Sequence, residues 1–150
     1  MSTLDTAARF RALADSSAPV PIDEAHALFD ALEAVGCDEM LGDWDGGLVP
    51  TGHPGEQQLG ALGWVGKSFR GRDDVDPIVC LDAGGARQAN PVLGAASLRA
   101  VEHRGVVTAT MVYDKHPVFD HFRRVDEHTV LGLMDRKGDA PLFFWLRRRG

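Results

Sequence analysis

Apolar residues in the first third of the chain recur at helical spacing, whereas those in the last third fall into runs of strand length. Over residues 4–14 the positions Leu4, Ala7, Ala8, Phe10, Leu13 and Ala14 predict an amphipathic helix, ended by Ser16-Ser17-Ala18-Pro19. A second helix is predicted from Pro21, with Asp23 and Glu24 at the positive end of its dipole. Its stripe reads Ala25, Leu28, Phe29, Leu32 and Val35, and Gly36 is its natural stop. Residues 38–41 are read as one further turn.

Beyond Trp44 the period changes. Leu48 and Val49 close a short strand, and Pro50-Thr51-Gly52-His53-Pro54-Gly55 reads as a loop. Residues 56–62 suit a short helix leading into Gly63-Trp64-Val65-Gly66, residues 78–81 a compact strand, and residues 83–96 a small-residue loop. Five strand-length runs follow, at 97–103, 106–113, 118–125, 129–135 and 142–148. Their short separators predict hairpins, because parallel neighbours need connections of about a dozen residues or more. About seven strands behind N-terminal helices predict a mainly β (α+β) fold. We read one domain over 1–150, helical through 41, with a small antiparallel β-barrel over 42–150.

Composition removes several classes of function. At 150 residues the chain buries about 70% of its unfolded surface, enough for a core without staples. A net charge of −6 argues against non-specific affinity for nucleic acid, despite the local Arg147-Arg148-Arg149 cluster. Cys37 and Cys80 are read as reduced thiols. The start of the chain has no signal-peptide pattern, and no run approaches the roughly 20 apolar residues of a membrane span. A cytoplasmic protein without a transmembrane segment is expected.

Candidate chemistry centres on aromatics and one irregular strand. Trp44, between Gly42 and Gly46, is read as a plug at one end of the barrel rather than a ligand contact. Trp64 and Trp145 suit either a pocket wall or a core, and Arg147, two residues beyond Trp145, would share its face. In the run 118–125, Phe119, His121, Arg123 and Val125 share one face, and Val118, Asp120, Phe122 and Arg124 share the other. Polar groups therefore enter the interior, or the strand is an edge. With the first face inside, His121 and Arg123 would grip an anionic or carbonyl head group. Met111 and Tyr113 share a largely apolar face with Ala109, and the small residues Ala109 and Gly132 suggest room for a cavity. Asp120 and His121, consecutive on a strand, point apart and so do not form an acid–base pair. No metal-binding spacing or catalytic signature is present, so neither metal ligands nor catalytic residues are assigned.

Together, Leu41-Gly42-Asp43-Trp44-Asp45-Gly46, Thr51-Gly52-His53-Pro54 and Gly63-Trp64-Val65-Gly66-Lys67 resemble the GXWXG protein family. The segments Met111-Val112-Tyr113-Asp114, Pro117-Val118-Phe119-Asp120-His121-Phe122 and Leu131-Gly132-Leu133-Met134-Asp135 resemble its companion C-terminal domain of unknown function. The resemblance implies no reaction. A looser similarity to calycins (lipocalins, fatty-acid-binding and nitrobindin-like proteins) implies a ligand-holding barrel, with Arg147 matching a late arginine packed on the first tryptophan. A pleckstrin-homology-like sheet is the other fold considered.

These readings lead to a non-enzymatic binding protein for a small hydrophobic or lipid-like ligand, neutral or anionic, with no cofactor. Its wall candidates are His121, Arg123, Tyr113, Met111, Trp44, Trp64, Trp145 and Phe119. The alternatives are haem or oxidised-metabolite binding, lipid head-group binding, an enzyme using His121 as acid or base, and a sheet serving homodimerisation.

Overall fold

The computed structural model describes residues 3–150, with side chains from residue 5 onward, so Leu4 of the first stripe lies outside the described side chains. Three helices are present: α1 (Thr3–Ala14), α2 (Ile22–Ala31) and α3 (Pro54–Leu62). The strands are β1 (Glu33–Ala34), β2 (Gly42–Leu48), β3 (Trp64–Gly71), β4 (Asp74–Leu81), β5 (Arg87–Ala89), β6 (Ala96–His103), β7 (Val106–Tyr113), β8 (Val118–Arg124), β9 (Thr129–Arg136) and β10 (Leu142–Arg148). Short 3-10 turns cover Cys37–Met40 and Pro91–Leu93.

The pairing order β8-β7-β6-β4-β3-β2-β10-β9 returns to β8, so eight antiparallel strands follow one another in a closed ring. The β4–β6 seam is thin. It has one register pair, Val75 with Ala96, supplemented by the Leu98 N–H donating to the Arg72 carbonyl at 2.6 Å. The mainly β architecture with leading helices is as expected, but the strand count of about seven is corrected to ten among the described residues. The additional strands are β1, β3 and β5, and β3 is the longest of them, pairing with β4 in a hairpin. Its outer face carries Arg70, ion-paired with Asp74 and Asp76 in solvent, and these charges obscure the apolar alternation. The loop read over 83–96 also contains β5, paired to β4.

Alternation along each strand divides the molecule into two apolar cores. Inside the ring lie Trp44, Phe69, Val75, Leu98, Met111, Phe122, Phe144 and Leu146. On the outer face of β8, β9 and β10, Leu131, Leu133 and Phe143 pack under Phe10 of α1 and Leu28 and Phe29 of α2. Fully burying a side chain of this size contributes about 1.5–3 kcal/mol.

Helix α2 ends at Ala31, a turn earlier than the stripe to Gly36 predicts. Leu32 turns extended, and Glu33 and Ala34 pair with Arg124 and Arg123 of β8. The Arg123 guanidinium takes over the helix terminus, Nη1 donating to the Phe29 and Leu32 carbonyls at 3.0 and 2.9 Å. Leu32 and Val35 are nevertheless buried, so the apolar stripe was right about burial and wrong about conformation.

Candidate functional site

The glycine–tryptophan motif shuts one end of the ring. Trp44 is 1% exposed, and its indole N–H donates to the Met40 carbonyl at 2.8 Å. The Arg148 guanidinium lies 4.3 Å from its ring centroid and donates to the Leu41 carbonyl. The arginine on the plug is therefore Arg148, and Arg147 instead lies 5.8 Å from Trp145 on the outer face, because consecutive strand residues point apart. The motif's glycines make room for close neighbours. A Cβ on Gly46 would sit 2.4 Å from the Trp64 ring, and one on Gly66 would sit 1.9 Å from the Trp44 carbonyl oxygen.

The other end is hollow. A cavity of about 860 Å³ lies between the strand ends, α3 and the turns before β6, β8 and β10. Its walls include Leu59, Leu62, Trp64, Ile78, Leu93, Tyr113, Val118, Met134, Leu142 and Phe144. Helix α3 crosses the mouth and buries no residue fully. His53 anchors it: Nδ1 accepts from the Gly55 N–H, so Nε2 carries the proton and donates to the Ala140 carbonyl at 3.0 Å. Glu56 completes the cap by accepting from the Thr51 and His53 N–H groups. Thr51-Gly52-His53-Pro54 thus caps the start of α3 and ties it to the turn before β10.

Two opposite charges are buried in the wall of this mainly apolar chamber, whose lining also includes the exposed Arg136 and Asp139. Lys67 of β3 is 3% exposed and Asp120 of β8 is 2% exposed, with Nζ and Oδ2 3.3 Å apart. Nζ also donates to the Pro77 carbonyl at 3.0 Å and lies 5.5 and 5.1 Å from the Trp64 and Phe144 rings. The other carboxylate oxygen, Asp120 Oδ1, is buried and has no hydrogen-bond partner among the described residues, and the same holds for the indole N–H of Trp64. Burial pushes the Lys67 ammonium down and the Asp120 carboxyl up, and each partner's charge opposes the other's shift. Burial also holds the Tyr113 hydroxyl well above the usual phenol range.

The residues proposed from sequence separate into three places. Trp64 and Tyr113 line the cavity. Trp44 and Met111 belong to the packed interior core. Phe119, His121, Arg123 and Trp145 lie on the outer face of the ring, toward the helices. Of the two faces left open for this strand, β8 turns Val118, Asp120 and Phe122 inward and α2 covers the alternate face, so the candidates His121, Arg123 and Phe119 do not line the cavity. The room inferred at Gly132 is filled, since a Cβ there would lie 2.3 Å from the Phe144 ring.

Under α2, His121 stacks on His103 with centroids 4.0 Å apart, and its Nδ1 meets Thr110 Oγ1 at 2.9 Å. His121 Nε2 and His103 Nδ1 both approach Asp135 Oδ2, at 3.4 and 3.7 Å. Burial first, then the charge of His103, lowers the His121 pKa to about 4. The ligating atoms of these three residues fall within 4.8 Å of one another. The near-parallel rings, only 7° apart, cannot both point their lone pairs at one ion without turning, and Arg123 adds positive charge nearby.

Sequence reasoning passed over Lys67 and set Asp120 aside. A signal for both was nonetheless present. Asp120 shares a face with Val118 and Phe122, and Lys115 and Lys137 fall between strands, which leaves Lys67 as the lysine within a strand.

A closed antiparallel ring, plugged at one end and hollow at the other beneath a short helix, defines the class of protein. Within it the chain belongs to the GXWXG family. The GXWXG protein pattern matches residues 27–85, and a domain of unknown function (DUF4334) matches residues 94–148. A crystal structure of a protein from Thermomonospora curvata is similar over 97% of this chain and 99% of its own, with 39% identity and a TM-score of 0.90. No curated protein matches the chain. Among the described residues, no helix is long and apolar enough to cross a membrane.

Proposed function

We propose that this protein binds a small, largely apolar molecule in the cavity under α3, with one uncharged polar group docked against Lys67 and Asp120. The observation that carries this reading is the unpartnered, buried Asp120 Oδ1 in an apolar chamber. A cavity near 860 Å³ lies within the size range of small-molecule sites, where apolar walls supply affinity and a few polar atoms fix orientation. A buried acceptor without a partner costs about 1–3 kcal/mol, which a ligand hydroxyl would recover. Because Lys67 and Asp120 offset each other, a neutral head group suits the site better than a carboxylate. A second anion beside Asp120 would be desolvated without a free counter-charge.

Thermal melts with 1-decanol, 2-decanone and decanoate test this reading. The neutral probes should raise Tm in a concentration-dependent way and decanoate should raise it least. Quenching or shifting of Trp64 emission, absent in Trp64→Phe, would place the probe in the cavity. A flat melt with every probe would remove the reading.

A further inference from the structure

We propose that Lys67 captures the carbonyl group of an apolar aldehyde or ketone as a reversible imine, with Asp120 moving the protons. The proposal rests on the cavity being the ligand site and names the chemical class of its occupant. Its geometric basis is a primary amine buried at an apolar chamber wall, held by the Pro77 carbonyl and by only one oxygen of Asp120. Carbonyl-reactive lysines need a desolvated amine and a proton carrier within reach. Here one carboxylate oxygen faces the amine and the other is uncommitted. The aromatic rings of Trp64 and Phe144 exclude water from the nitrogen, which favours the dehydrated product.

The proton balance is closed within the pair. The ammonium proton passes to Asp120, and the free Lys67 amine forms a bond to the carbonyl carbon. Asp120 returns its proton to the former carbonyl oxygen, giving a cationic carbinolamine. The carboxylate then takes a proton from the nitrogen and delivers it to the hydroxyl, which leaves as water while the C=N bond forms. One ammonium and one carbonyl become one iminium and one water, and the iminium replaces the ammonium beside the Asp120 carboxylate. No oxidant or reductant is consumed, and added water reverses the sequence.

The chain has three lysines, Lys67, Lys115 and Lys137, and the last two are exposed, so each molecule carries its own references. The full-length protein is incubated with nonanal and cyanoborohydride, which reduces an imine irreversibly to a nonyl amine, and is then mapped by peptide mass spectrometry. Lys67 should be labelled on the order of tenfold more than Lys115 or Lys137, because binding holds the aldehyde against it. 1-Nonanol, which has no carbonyl, should suppress only the Lys67 label. If nonanol raises Tm while labelling is confined to Lys115 and Lys137, imine capture is overturned and simple binding stands. If neither compound raises Tm and Lys67 is not preferred, both proposals fail. Lys67→Arg keeps the positive charge but offers no primary amine, so it should lose the label while Lys115 and Lys137 keep theirs. Should that variant not fold, the wild-type peptide ratio decides alone.

Discussion

Strand β8 buries polar side chains on both faces, and the two faces dispose of them in opposite ways. On the outer face, Arg123 ties down the end of α2 through two carbonyls, and His121 is held by Thr110 between stacked rings. Those groups are consumed by the fold: they join helix to sheet and have no cavity to act on. On the inner face, Asp120 meets Lys67 through one oxygen, and the second oxygen has no partner among the described residues. Hydrogen bonding alone therefore does not distinguish structural polar groups from functional ones; Arg123 also leaves its Nε unpaired, but within packed side chains rather than at a chamber wall. The distinguishing feature is an unmet acceptor combined with open space.

The largest expected effect comes from splitting the inner pair. Asp120→Ala leaves the Lys67 charge buried alone and should cost about 3–5 kcal/mol in urea denaturation. The double variant Lys67→Met/Asp120→Leu should recover most of that loss while abolishing the preference for neutral polar probes. A single-variant cost below about 1 kcal/mol would show that the pair is not a buried charge pair.

Acid should attack the outer face next. His121, facing Thr110, His103, Asp135, Arg123 and Phe119, titrates at about 4 when folded and near 6.5 when unfolded. Between those values the unfolded chain binds the extra proton, so stability falls as pH drops from about 6.5 toward 4, by up to about 3 kcal/mol. His121→Leu should shrink this limb, leaving the part from His26 and His103, whose pKa values burial also lowers, and the loss at lower pH from carboxylates such as Asp30, whose pKa its hydrogen bond to Arg104 lowers. Denaturation curves at a series of pH values would read this, and an unchanged limb would contradict it.

Arg123→Met should cost about 1.5–3 kcal/mol through the lost charged hydrogen bonds at the end of α2. It should leave the 1-decanol melt shift unaltered, and a loss of that shift would erase the distinction between the faces. The smallest effect is expected at the cover. His53→Ala removes the α3 cap and the tie to Ala140, for about 1 kcal/mol of stability. Stopped-flow measurement of probe release should show a faster rate than in the parent protein.

Several elements were legible because local pattern and tertiary demand agree. The runs that became β6 to β10 are of strand length, and their short turns leave antiparallel pairing as the ready solution. The role of Trp44 as a plug matches its burial and its bond to Met40. The β3–β4 hairpin was hidden by glycines and surface charges, and the end of α2 was misread because Arg123, distant in sequence, captures its carbonyls. Within the candidate site, Trp64 and Tyr113 were legible as aromatic wall residues. The pairing of Lys67 with Asp120 was not, since they lie far apart in the sequence and only closure of the ring brings them together.

Residue order alone determined the helical start, the antiparallel meander, the glycine-flanked tryptophan and the fact that β8 must either bury something polar or lie at an edge. These follow from periodicity, turn chemistry and the small size of glycine, all of which act over a few residues. Which face of β8 looks inward was decided by the closed fold. Alternation specifies two faces but not their direction, and only the packing of α2 on one side and ring closure on the other assigns them. That assignment turned His121 and Arg123 into fasteners and brought Lys67 to Asp120 at the wall of the chamber.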